Sequence, residues 1–230
     1  MIVPSYLGSC LAGFLLLAST PSREPPRERF YVIVFAYQQL PIKPHLAHSF
    51  ATFIKVSESA GGCEVESDTV SWLPEKLKVR VFSPRSESGR NLTLEESLAE
   101  ARKHHAQVSY WGPYEIDREL YQRGIERAQM LRAGKVKYRA VDIFVRAGKV
   151  FNCVHAIGDI LDEGWPLRVM PSRWGISASS QVLSRYRPYL VDPETTHDWL
   201  LPCLNLDPTT MQKRGLNERT WYLLPRLRIW

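Results

Sequence analysis

The chain lacks an apolar run long enough to cross a membrane as a helix. The apolar stretch Tyr6 to Thr20 (YLGSCLAGFLLLAST) falls short of the ~20 residues that a span needs. It also lacks any dense Lys/Arg run with interleaved aromatics, which argues against nucleic acid as a partner. No internal repeat stands out, which sets aside a repeat architecture. Cysteine is scarce: the four present are too few for a disulfide framework, and their spacings match no zinc pattern. No metal and no cofactor are therefore expected.

What is present suits a folded core. The 230 residues and 26.5 kDa correspond to one domain with extensions, or at most two small domains. With 44% hydrophobic residues, 7 Trp and 10 Tyr, the chain does not have the composition of a disordered protein. The formal charge of +6 is compatible with an anionic partner such as a membrane surface or a cell-wall polymer, and equally with a generic basic surface.

Tyr6 to Thr20 has the length of a signal-peptide core and ends in small residues, although no Lys or Arg precedes it. The polar, proline-rich Pro21 to Arg27 follows. Residues 1–26 are read as a signal peptide or N-terminal anchor with linker. The protein is thus expected to be exported, periplasmic or membrane-anchored, with any membrane association made through the N-terminus. Cys10 would leave with a cleaved leader. Cys63, Cys153 and Cys203 would remain, an odd number, and a Cys63–Cys203 pair would leave the Cys153 thiol over.

Arg29 to Gln38 reads as a buried strand, and His48 to Val56 as an alternating one with His48, Phe50, Thr52, Ile54 and Val56 on one face. Gly61-Gly62 marks a turn, and Cys63 to Trp72 returns as the second arm of a hairpin. Leu77 to Phe82 is expected as a short strand and Ser83 to Gly89 as a polar loop. Thr93-Leu94-Glu95-Glu96 is a capping box that starts a helix running to about His105. Trp111 to Tyr114 reads as a break, and Glu115 to Ala133 as the longest helix, closed by Gly134. Lys135 to Val145 is expected to hold a strand, and Cys153 to Leu161 a helix. Residues 164–230 read as irregular, with one amphipathic segment near Ser177 to Tyr186.

Two short segments could carry chemistry. In Asn152-Cys153-Val154-His155, Asn152 is a good N-cap, which places Cys153 in a first helical turn where unpaired N–H groups favour a thiolate. The bland alternative is a packed structural cysteine, the usual fate of a lone Cys among apolar residues. In His48-Ser49-Phe50-Ala51, the histidine opens a strand after a loop, where a rigid element can present an imidazole. His155, two residues from Cys153, diverges from it on a helix and reads as a packing residue. His104-His105 and the extended pair His45 and His48 do not converge on a metal.

Together the two segments resemble the circularly permuted papain-like thiol enzymes, the group that includes relatives of the NlpC cell-wall endopeptidases, the PPPDE isopeptidases and the lecithin:retinol acyltransferase-like proteins. In permuted members the histidine strand precedes the cysteine helix, the order found here. The resemblance covers roughly residues 29–165. It implies an α+β fold: a small antiparallel sheet packed on helices, with residues 27–165 as a papain-like core and 166–230 as an irregular C-terminal extension. It further implies Cys153 as nucleophile and His48 as general base, with a third polar group on the following strand to orient the imidazole. Hairpin geometry puts Ser71 or Trp72 opposite His48, so Ser71 is the expected third residue, with Asp68 and Glu66 as fallbacks. The activity implied is hydrolysis of an amide in the cell envelope through a Cys153 thioester, on a peptide or peptidoglycan-like substrate. A lipid acyltransferase or thioesterase taking an acyl substrate, and an inactive envelope binding protein, are the alternatives on the same fold.

Overall fold

A computed structural model describes residues 27–39, 43–59, 62–141, 150–161 and 175–217. The leader expected over residues 1–26 lies outside the described residues, as does part of the strand expected over 135–145.

The fold is α+β. β1 (Arg27–Gln38), β2 (His48–Ser59) and β3 (Gly62–Val70) form an antiparallel meander. β4 (Trp72–Pro74) and β5 (Glu87–Asn91) leave it for a second sheet, and α1 (Leu94–Lys103) follows. β6 (Gln107–Ile116) returns to pair with β1, and α2 (Arg118–Arg132) follows. Next come β7 (Lys137–Tyr138), β8 (Val150–Phe151), α3 (Cys153–Gly158), α4 (Gly175–Tyr186), α5 (Leu200–Cys203) and β9 (Gln212–Arg214). The main sheet has the order β3-β2-β1-β6-β9, antiparallel apart from the parallel β6–β9 pair; the second has the order β4-β5-β7-β8.

Both faces of the main sheet are covered, which is why β1 is apolar along its length instead of alternating. Val32, Val34 and Ala36 face α2, α3 and α4, whereas Ile33, Phe35 and Tyr37 face α1 and α5. Each residue from Val32 to Ala36 is fully buried. The C-terminal stretch does more than wrap this core. Ile176, Val182, Leu183 and Tyr186 of α4 lie within it, Ser179 Oγ donates to Phe35 O at 2.7 Å, and β9 extends the sheet.

Three local expectations are corrected. Leu77 to Phe82 is a turn-rich loop with Phe82 exposed; among the described residues no strand pairs with it, so its short alternation does not form a ladder. The strand lies instead at Glu87–Asn91, starting within the Ser83 to Gly89 segment read as a polar loop and running past it, because Gly89 lets Trp72 lie directly over the backbone. Trp111 to Tyr114 is not a break. The register passes from Val34↔Trp111 to Val32↔Tyr114, so β6 absorbs an extra residue as a bulge and continues. Gly112 makes this feasible, with φ of 94° and no room for a Cβ beside Val32 O. The long helix consequently starts later than expected, at Arg118, capped by Asp117 Oδ1 accepting from Leu120 N at 2.9 Å.

Candidate active site

Cys153 occupies the first position of α3. The cap forms as its residue types dictate: Asn152 is extended, and its Oδ1 accepts from His155 N at 2.8 Å. The thiol is half-buried, is not in a disulfide, and packs beside the cluster on the α3 face of the main sheet. Cys63 and Cys203 are exposed, and neither is in a disulfide.

His48 starts β2 and is buried to 1% exposure. Its ring stacks on Phe50 (centroids 5.5 Å apart) and leans on Tyr37 (5.2 Å). Nε2 is hydrogen-bonded to Ser71 Oγ at 2.8 Å. Nδ1 is buried and has no hydrogen-bond partner among the described residues. Burial lowers the imidazole pKa from 6.5 to about 3, so the ring is neutral over the physiological range.

Ser71 is the hinge between the two sheets and is itself held on several sides. Its N–H donates to Asn91 Oδ1 at 2.8 Å, its C=O accepts from Leu92 N at 2.9 Å, and its Oγ lies 2.7 Å from Ser97 Oγ. Asn91 Nδ2 donates back to Thr69 O at 2.7 Å. Ser97 is fixed by the helix start. The Thr93–Glu96 capping box forms with both bonds, and Ser97 in the next turn places its Oγ 2.7 Å from Thr93 O.

The strand alternation decides which groups meet. His48 and Phe50 point to the α1 face of β2, whereas Ala51 and Phe53 point to the α3 face, where Cys153 packs. The structure thus brings His48 together with Ser71, as hairpin geometry anticipates, and forms no hydrogen bond between His48 and Cys153. Their common neighbour is Tyr37. Burial first, and then the nearby Glu100 and Cys153 charges, push its phenol far above the ordinary value.

The fallback residues are occupied elsewhere. Asp68 takes a bidentate contact from Arg132, with Nη1 to Oδ1 at 2.6 Å, and also accepts from Thr69 N. Glu66 pairs with Lys55 at 3.3 Å, seven positions along β2 from His48, or roughly 23 Å at the usual strand rise. Two participants escaped the sequence reading: Asn91 and Ser97. The capping box was a usable signal for Ser97, because it fixes where the helix begins. Nothing local marked Asn91. Among the described residues no group of three or more His, Cys, Asp or Glu side chains could hold a metal ion.

No family model, no curated protein and no solved structure matches this chain.

Proposed function

We propose that the chain is an exported cysteine hydrolase that cleaves an amide bond of a peptide or peptidoglycan-like substrate through a thioester on Cys153. The observation that carries this reading is the division of labour on the His48 ring. Nε2 is held by Ser71 at 2.8 Å while Nδ1 is bare, which is the arrangement a general base requires.

In this reaction the Cys153 thiol gives its proton to Nδ1 as sulfur attacks the carbonyl carbon. The tetrahedral intermediate collapses with cleavage of the C–N bond, and the amine leaves with the proton from His48. Water then attacks the thioester, its proton passing through Nδ1 back to sulfur, and the acid is released. Because burial keeps the imidazole neutral, His48 brings no positive charge to the site before the reaction begins. The reaction requires Nδ1 to come within hydrogen-bond reach of the reacting atoms, about 3 Å, which is not the resting arrangement.

A second reading has its own observation. The imidazole and the thiol pack on different faces of β2, as they would in an inactive protein that keeps the fold for binding in the envelope.

Site-resolved alkylation decides between them. Iodoacetamide labelling of Cys153 is followed across pH by peptide mass spectrometry, which separates it from the exposed Cys63 and Cys203. The hydrolase reading expects an apparent pKa below the ordinary thiol value of about 8.5, set by the helix start, and a labelling rate that falls in His48→Ala, where the proton acceptor is gone. Slow labelling that is indifferent to His48 overturns it in favour of the binding protein.

A further inference from the structure

Two serines and a carbonyl determine where the proton sits on His48. Ser97 Oγ lies 2.7 Å from Thr93 O, and a carbonyl oxygen can only accept, so the single hydroxyl hydrogen of Ser97 is committed to Thr93. The reverse arrangement would press two lone-pair oxygens together at hydrogen-bond distance with no proton between them. Bonding from Ser back to the carbonyl four residues earlier is a common habit of helical serine.

Ser97 Oγ is also oriented to donate to Ser71 Oγ, 2.7 Å away, but it has one hydrogen and Ser71 has one of its own to give, so all the contacts are satisfied together only when Ser97 donates to Thr93 O and accepts from Ser71. Ser71 then spends its own hydrogen on Ser97 and can only accept from His48 Nε2 at 2.8 Å. Both serine side chains are fully buried, so water does not compete for these hydrogens.

We infer that Ser71 and Ser97 form a proton-ordered relay, anchored on Thr93 O, that sets His48 as the Nε2–H tautomer and leaves Nδ1 as a bare, buried lone pair. Ser97 on α1 is thereby a positioning residue for His48, acting through Ser71. This deepens the proposed function: under that reading, the relay ensures that the nitrogen free to take the thiol proton is Nδ1. The depressed basicity of the ring means the tautomer question concerns neutral imidazole at ordinary pH.

The tautomer is read by long-range ¹H–¹⁵N correlation spectra of uniformly ¹⁵N-labelled protein at neutral pH, with His48 assigned by its loss in His48→Gln. The inference expects Nε2 in the protonated shift range and Nδ1 in the unprotonated range. It also expects Ser97→Ala to populate the Nδ1–H tautomer, since Ser71 would be released to donate to Nε2. A wild-type spectrum with the proton on Nδ1 overturns the relay without recourse to any variant. A folded Ser97→Ala protein that retains a pure Nε2–H ring overturns the role of Ser97. Neither result depends on activity, so an inert Cys153 in the alkylation experiment would sink the hydrolase reading while leaving the relay intact.

Discussion

Tyr37 and His48 stand opposite each other in the β1–β2 ladder, with ring centroids 5.2 Å apart, and Tyr37 is also within electrostatic reach of Cys153. Burial holds its phenol protonated far into the alkaline range, so it brings no charge to the thiol. Tyr37→Phe is therefore expected to leave the pH midpoint of Cys153 alkylation where it is in the wild type. A displacement of about one unit, equivalent to ~1.4 kcal/mol, would show that the hydroxyl bonds the thiolate.

The neutral, buried His48 makes stability depend on pH. Its folded pKa is about 3 against 6.5 when exposed, so between those values the unfolded chain binds the extra proton. Stability is fully retained above about pH 6.5 and falls with acidification toward pH 3, by up to ~1.4 kcal/mol per pH unit from this one group. Urea denaturation of the wild type and His48→Gln at several pH values isolates the effect, because the carboxylates contribute alike to both. Parallel pH profiles for the two proteins would contradict it.

Gly124 on α2 lies flat against the ring of Phe53 on β2: a Cβ there would stand 2.6 Å from Phe53 Cγ, Cδ1 and Cδ2. Helix propensity alone favours Gly→Ala by about 1 kcal/mol. Overpacking opposes it by ~1–3 kcal/mol, and the ring is walled in by the core. Gly124→Ala is accordingly expected to lower the urea midpoint with an unchanged m-value. A rise in the midpoint would mean that the ring moves aside freely.

Asp68 serves as a control for the place proposed for Ser71. Its carboxylate is bound by Arg132 on α2, on the face of β3 away from His48. Asp68→Asn should leave Cys153 alkylation unaltered and cost no more than about 1 kcal/mol, since the pair is partly exposed. Ser71→Ala, in contrast, should alter the ring's hydrogen bonding directly. Equal effects of the two substitutions on the alkylation profile would argue against Ser71 as the partner of His48.

Much of this arrangement is legible one segment at a time. The β-branched and aromatic run of β1, the alternation of β2, the capping box before α1 and the Asn152 cap before α3 are local patterns with local causes, and each forms where its residues indicate. Even Ser71 could be reached from the sequence. A hairpin register off by two residues still delivers a same-face neighbour of His48, because side chains two positions apart share a face. The misreadings arose where a strand depends on a partner distant in sequence. Glu87–Asn91 is polar and becomes a strand through Trp72 and Tyr138, and the bulge at Gly112 is visible only against β1.

The sequence by itself determined that a capped helix begins at Cys153, that an alternating strand begins at His48, and that an apolar strand precedes it. It did so because caps, alternation and apolar runs are written in residues that are neighbours along the chain. Only the tertiary structure decided that both faces of the main sheet are covered, that the imidazole of His48 turns to the α1 face while Cys153 packs on the other, and that Ser97 and Asn91 close the network around Ser71. These depend on which elements pack against which, a choice made by burying two apolar faces at once, and no single segment carries that information.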